Sequence, residues 1–319
     1  MKIIHGEFIY ERASFPSCHA STLVETPAGL LAAWFGGSEE GAPDVGIWLA
    51  HRRLTGWTNP VQIAHGRQPD GTQLPCWNPV LWRAPDGTTL LFYKVGPSPR
   101  TWWGMLMASA DEGVTWSPPA RLPNGILGPI KNKPVLIGDV LLCGSSEEHA
   151  SWTTHVEWVR NLTGPGDLLN LSWQRTAPLH RAEQFSAIQP AILHWPHGTQ
   201  LLCRTKQGVV SEIWSHDDGQ NWDEMRATNL PNPNSGFDTV MLRDGRALLI
   251  YNPLTAGRHQ LHAALSADGN TWRDALELES SSGEYSYPAV IQAGDGLIHT
   301  TYTWQRERIR HVVIDPSGA

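Results

Sequence analysis

Asn78-Pro-Val-Leu-Trp-Arg-Ala-Pro-Asp-Gly87-Thr-Thr-Leu-Leu-Phe-Tyr93 places two apolar runs on either side of a tight Asp86-Gly87 turn. That pattern reads as a β-hairpin, because an Asp-Gly pair adopts the positive φ of a short turn while the flanking runs supply two strands. The same order of polar residue, apolar run, Gly or Asp turn and second apolar run recurs six times. It appears at Ser21–Trp34 around Gly29, at Lys133–Cys143, and in copies beginning at Gln189-Pro190, Asp238-Thr239 and Tyr287-Pro288. The second runs start near residues 30, 90, 141, 201, 248 and 297, at intervals of roughly 47 to 60 residues. Each interval leaves room for a second hairpin, hence four strands, the size of a propeller blade. No long stretch carries the i, i+3, i+4, i+7 spacing of an amphipathic helix. Two tandem sandwiches would need a linker or a shift in composition, and the sequence has neither. The expected fold is all-β: a single six-bladed β-propeller of four-stranded antiparallel blades over residues 1–319.

A second element repeats between the hairpins. Ser109-Ala-Asp-Glu-Gly-Val-Thr-Trp116 and Ser215-His-Asp-Asp-Gly-Gln-Asn-Trp222 share the pattern Ser-x-Asp-x-Gly-x-Thr-Trp, and Ser266-Ala-Asp-Gly-Asn-Thr-Trp272 is one residue shorter. This is the Asp-box, in which the Asp caps a turn through backbone N–H groups and Gly takes the positive φ. The Trp packs the turn onto its blade. Trp116, Trp222 and Trp272 are therefore expected to pack rather than to stack on sugars.

Composition narrows the function classes. The chain has 24 Lys+Arg against 31 Asp+Glu, a formal charge of −7, and lacks the basic stripe that a nucleic-acid surface needs. No apolar run approaches a membrane span, and Met1–Arg12 lacks a secretory apolar stretch, so a cytoplasmic protein is expected, with no nucleic-acid or membrane partner. Cys18, Cys76, Cys143 and Cys203 are dispersed and read as free thiols; no metal-ligand spacing is present, and no cofactor is expected. Sixteen Trp stand beside six Phe and six Tyr. Trp102-Trp103, in a Pro-bounded loop, could stack on a sugar face, although packing of at least one ring is the commoner outcome.

With these motifs the chain resembles the BNR/Asp-box branch of the sialidase (neuraminidase) superfamily, over about residues 12 to 314. The resemblance implies a six-bladed propeller with an axial site: three arginines for a substrate carboxylate, an Asp as general acid/base, and a Tyr nucleophile activated by a Glu. Tyr serves because the anomeric carbon bears a carboxylate that repels an anionic nucleophile, which sets sialidases apart from glycosidases that use two carboxylates. Carried over by motif, the acid/base is similar to Asp44 in Gly41-Ala-Pro-Asp44-Val-Gly-Ile-Trp48, and the nucleophile to Tyr285 in Tyr285-Ser286. Arg204 and Arg258 match the second and third arginines. His19 stands at the first, and Gln189 at the Glu. An amide cannot take the Tyr proton, so Glu284, Glu148 and Asp238 are candidates to replace it.

Placing the inner strands on the axis gathers His19, Asp44, Asn78, Lys131, Asn132, Lys133, Gln189, Asn234, Asp238, Glu284 and Tyr285 around one cavity. The catalytic set expected from this reading is Asp44, Tyr285, His19 and Glu284. The substrate-binding set is Arg204, Arg258, Gln189, Asn78, Lys131, Lys133 and Asp238. The implied partner is an acidic oligosaccharide or glycan, and the implied activity a sialidase-like exo-glycoside hydrolase on a terminal carboxylated sugar. A lyase or rhamnosidase-type enzyme at a glucuronate linkage is the alternative, since Tyr and His can share a β-elimination. A glycan-binding propeller without catalysis is the third reading.

Overall fold

Alternating apolar strands with turn residues between them can bury their faces only by stacking sheet on sheet, and six such sheets close into a ring. A computed structural model of the chain describes residues 1–160 and 172–317. Its six blades are antiparallel, each running from an innermost to an outermost strand. The innermost strands are Ser17–Thr26, Cys76–Arg83, Val135–Ile137, Ala187–Trp195, Asp238–Met241 and Tyr285–Gln292. The second strands begin at Gly29, Thr89, Val140, Gly198, Ala247 and Ile298, where the sequence repeat puts them. The first blade carries an additional short outer strand, Val61–Ala64, beside Gly56–Trp57.

Antiparallel order fixes where the loops emerge. The start of each inner strand lies at the same edge as the loop between the second and third strands. One face of the ring therefore collects loops 38–45, 96–102, 148–152, 206–208, 252–260 and 305–307. The Asp-boxes join third and fourth strands and sit at the opposite edge. Asp111 caps Thr115 N at 2.8 Å, Ser109 Oγ accepts Gly113 N at 2.8 Å, and Trp116 Nε1 donates to Gly113 O at 3.2 Å. Asp217 with Trp222 and Asp268 with Trp272 repeat these bonds. All three tryptophans pack against blade cores, as the motif reading expects. The four cysteines are buried and unpaired.

The ring is closed by its N-terminus. Lys2–Phe8 is the outer strand of the sixth blade, in register Lys2↔Asp315 to Phe8↔Arg310. Glu7 ties this strand inward and sideways, accepting from Arg52 Nε of the first blade at 3.0 Å and from His311 Nδ1 at 3.1 Å. With that proton on Nδ1, His311 Nε2 accepts from His299 Nδ1 at 3.0 Å, so the relay works with both rings neutral. Burial, then the neighbouring His311, pushes His299 down to about 4, and burial lowers His311 as well. Below pH 6.5 the unfolded chain takes up protons that the folded chain refuses until about pH 4, so stability falls as pH falls through that window. Melting between pH 7 and 4.5 is expected to show a loss on the order of 3 kcal/mol, flattened in His299→Asn.

Candidate functional site

The site begins with a backbone irregularity repeated in four blades. Ala20, Asn78, Gln189 and Tyr287 have φ of 55°, 39°, 55° and 52°, in the left-handed region. At each, the ladder to the second strand skips a pair of residues: Ala20-Ser21, Asn78-Pro79, Gln189-Pro190 and Tyr287-Pro288. Such a β-bulge kinks the strand and re-aims a side chain, at a cost of about 1–3 kcal/mol for a non-glycine residue in this region. Side chains of preceding blades stabilise two of them. Thr303 Oγ1 accepts Ala20 N at 3.2 Å, and Ser146 Oγ accepts Gln189 N at 3.2 Å.

Tyr287 is the result of the sixth-blade bulge. Arg204 Nη1 donates to its phenol oxygen and, at 3.1 Å, to Gln189 Oε1; Gln189 Nε2 lies 3.4 Å from the same phenol. Arg204 and Arg258 guanidinium carbons stand 5.6 and 5.8 Å from the Tyr287 ring, and Lys131 Nζ 5.7 Å. Asn234 holds both arginines, accepting Arg204 Nε on its side chain at 3.0 Å and Arg258 Nη2 on its carbonyl at 3.1 Å. Gly236 lies beneath, where a Cβ would come within 3.2 Å of Gln189 Oε1 and 3.3 Å of the Tyr287 ring.

His19 packs against the same phenol ring, 4.1 Å between centroids, with Nδ1 3.0 Å from Thr303 Oγ1. It is 2% exposed. Burial, reinforced by Arg306, Arg258, Arg204 and Lys131, holds its pKa well below the usual imidazole value. The ring is therefore neutral at neutral pH, able to accept a proton but opposed by its surroundings to keeping it.

Glu284 lies at the rim and organises two cations. One carboxylate oxygen accepts from Arg258 Nη1 and Arg306 Nε, both at 3.0 Å, and from Ser286 Oγ at 2.8 Å. Burial would raise this carboxyl, but Arg306, Ser286 and Arg258 together bring it below its ordinary value. Arg306 is also paired with Glu40 of the first blade. Glu148, half-buried, behaves oppositely: burial raises its pKa, against the pull of Arg204, Lys206 and Arg100.

Deeper in the channel, Lys131 Nζ donates to Pro288 O at 2.5 Å, Phe237 O at 2.9 Å and Asn132 Oδ1 at 3.0 Å. Lys133 pairs with Asp238 at 2.8 Å, and Asp238 also accepts Val290 N at 2.9 Å. These groups knit blades three, five and six. Asn78 is buried at its own bulge.

Two of the residues expected from sequence lie elsewhere. Tyr285 is 1% exposed, its hydroxyl bonded to Ser281 Oγ at 2.6 Å and Ser282 O at 3.2 Å, with no axial partner among the described residues. The tyrosine brought to Arg204 and Gln189 is Tyr287, two positions on. Asp44 is exposed in loop 38–45, its carboxylate accepting Ser38 N at 2.9 Å and Ser38 Oγ at 2.8 Å. It shares the axial face without touching the cluster. Sequence reasoning missed Tyr287 and Arg306. The first carried a signal, since Tyr287-Pro288 repeats Asn78-Pro79 and Gln189-Pro190.

The sequence pattern of the BNR repeat-like domain matches residues 28–300, and the chain belongs to that family. No functionally curated protein matches it in sequence. Among solved structures, a Dyadobacter fermentans protein of unknown function is similar at TM-score 0.79 and 16% identity, covering 98% of each chain. The Hadza microbial sialidase Hz136 is similar at TM-score 0.76 and 17% identity, over 94% of this chain and 66% of that one. Trypanosoma rangeli sialidase in complex with sialic acid gives TM-score 0.69 and 15% identity, over 95% and 55%. At these identities the likeness is one of fold, a sialidase-like propeller.

Thr303→Val keeps the shape but leaves Ala20 N and His19 Nδ1 without this hydroxyl. A loss of about 1–3 kcal/mol is expected in urea unfolding, from buried polar groups left unpaired.

Proposed function

We propose that this BNR repeat-like propeller is a carbohydrate-active enzyme, a sialidase-like exo-glycoside hydrolase that removes a terminal carboxylated sugar from an oligosaccharide or glycan. The observation that carries the reading is the convergence of cations on one phenol: Arg204 bonded to Tyr287, Arg258 beside its ring, and Arg306 joined to Arg258 through Glu284. Guanidinium groups held in place by Asn234 and Glu284 suit a carboxylate, because little ordering remains to be done when it binds. Arg306 supplies the third cation from the sixth blade, while His19 occupies the first-blade position at which the resemblance expects an arginine.

In this reading the substrate carboxylate lies among the three guanidiniums, with the anomeric carbon over the Tyr287 oxygen. The phenol oxygen attacks that carbon while its proton passes to His19, whose imidazolium is now offset by the substrate carboxylate among the same cations, since the Gln189 amide cannot accept it. Asp44, on the loop beside the axis, protonates the departing glycosidic oxygen. It then takes a proton from the water that attacks the anomeric carbon, releasing the free sugar and Tyr287, which regains its proton from His19.

One observation favours a second reading. A neutral imidazole packed on a phenol among cations also suits removal of the proton beside a uronate carboxylate, with elimination of the leaving oxygen.

Turnover on a panel of sialosides, ulosonides and glucuronate-containing oligosaccharides separates the readings. Hydrolysis yields free acidic sugar with no new chromophore; elimination yields an ultraviolet-absorbing unsaturated uronate. Tyr287→Phe is expected to reduce hydrolysis roughly a thousandfold or more, whereas Tyr285→Phe keeps it. Arg258→Ala or Arg306→Ala should raise KM by roughly tenfold to a hundredfold through loss of a charged contact. Saturable binding of an acidic sugar without either product would leave a binding protein.

A further inference from the structure

Beside the axial cluster, on the same face, loops 96–102 and 148–152 and the segment 121–127 enclose a cleft of about 340 Å³. This is at the small end of ligand pockets, which run roughly 300–1,000 Å³, and is sized for a short saccharide. Its walls combine Trp102 and Trp103 with Arg100, Asn124, Glu148 and His149. The two loops are joined across blades two and three by His149 Nδ1 and Arg100 O at 3.2 Å. Glu147 and Arg121 are already engaged, the first with Arg175 at 2.8 Å and the second over the Trp103 ring at 4.6 Å. The Glu148 carboxylate is not: it has no hydrogen-bond or ion-pair partner among the described residues.

A run of packed aromatic rings, buried between its ends, links the wall of the cleft to the axis. Trp102 packs edge-on against Trp77 at 6.0 Å, Trp77 against Phe35 at 6.0 Å, Phe35 against His19 at 5.7 Å, and His19 against Tyr287 at 4.1 Å. Glu148 stands in the fields of both Arg100 in the cleft and Arg204 at the axis. Trp102 is braced from behind by Gly96, where a Cβ would fall 2.4 Å from the Trp102 Cα, so the loop backbone fixes where that indole sits. A braced indole, an unpaired carboxylate, a guanidinium and an amide are the groups that recognise a pyranose: an apolar ring face to stack on and donors and acceptors for its hydroxyls.

We propose that this cleft is a second saccharide subsite, which binds an uncharged pyranose of the leaving-group side while the carboxylated sugar occupies the axis. The identification of the leaving-group side rests on the hydrolase reading; the binding of a neutral saccharide does not. An enzyme built this way selects oligosaccharides over a small aglycone, because part of its contact lies beyond the scissile bond.

The test is binding of neutral disaccharides to the full chain by saturation-transfer NMR, with lactose, N-acetyllactosamine, cellobiose and maltose as probes. At least one is expected to bind at millimolar concentration, with affinity lowered roughly tenfold in Trp102→Ala and largely restored in Trp102→Phe. Glu148→Gln should weaken the same probe, and Arg258→Ala should leave it bound, since the axial clamp is not used. Binding unchanged in Trp102→Ala but lost in Arg258→Ala would put the sugar at the axis and overturn the proposal. So would the failure of all four probes to bind wild-type protein. Failure of the hydrolase reading looks different: no acidic sugar is turned over, while Trp102-dependent binding of the neutral disaccharide persists.

Discussion

The left-handed residue near the start of the inner strand is the constraint from which the axial site follows. A regular strand alternates its side chains between the two faces of its blade, both of which pack against neighbours, so nothing polar would be presented to the axis. At Ala20, Asn78, Gln189 and Tyr287 the inserted pair of residues breaks that alternation. The broken ladder leaves backbone groups to be paired from elsewhere: neighbouring blades supply Thr303, Ser146 and Asn132, and Lys131 reaches across the channel to Pro288 O. The groups that hold blades together are thus the groups that shape the site. Fold and site cannot be separated energetically at these positions.

The third blade lacks this bulge and solves the problem differently. Lys131 and Asn132 reach the channel from the segment that precedes its inner strand, and that segment is held by two buried side chains. Glu157 accepts Leu127 N at 3.1 Å, Gly128 N at 2.6 Å and His155 Nε2 at 2.9 Å, while Lys94 donates to Pro129 O. Both charged side chains are fully buried. Burial pushes Lys94 down to about 7, with Glu157 opposing it. A buried ion neighbourhood of this kind is a poor source of stability but a strong determinant of position, since each displaced partner would leave a charge unpaired.

Much of this architecture is legible in the sequence. Hairpin repeats and Asp-boxes dictate the six blades because both are local, written in turn residues whose φ preference does not depend on the rest of the chain. Arg204 and Gln189 are legible through their motif. Tyr285 and Tyr287 are two apart, so strand alternation alone would put them on the same face; only the bulge separates them, turning Tyr287 to the axis and leaving Tyr285 against Ser281 and Ser282. The Tyr287-Pro288 repeat carries that information, and the Tyr-Ser motif draws attention away from it. Arg306 is not legible in this way. It sits at a hairpin tip with φ of 62°, and its place beside Glu284 and Glu40 depends on how blades six and one meet.

Charge at the axis then bears on what the site can hold. Arg204, Arg258, Arg306 and Lys131 surround Tyr287 and His19. Glu284 and Glu40 lie outward of them on Arg258 and Arg306, and Asp238 is taken up by Lys133 and Val290 N deeper in the channel. Among the described residues, the side chain that bonds both Arg204 and the phenol is an amide, Gln189. A carboxylate there would pair with Arg204; the amide orients that guanidinium without an ion pair, and Glu148 is the acid that feels its field. A guanidinium 6% exposed with no ion-pair partner among the described residues favours an anion beside it. Neutral His19 follows from the same field, because a further positive charge among these cations is disfavoured. Gln189 and His19 therefore act in one direction, keeping the surroundings of the phenol cationic, and on that the proposed binding of a carboxylated sugar rests.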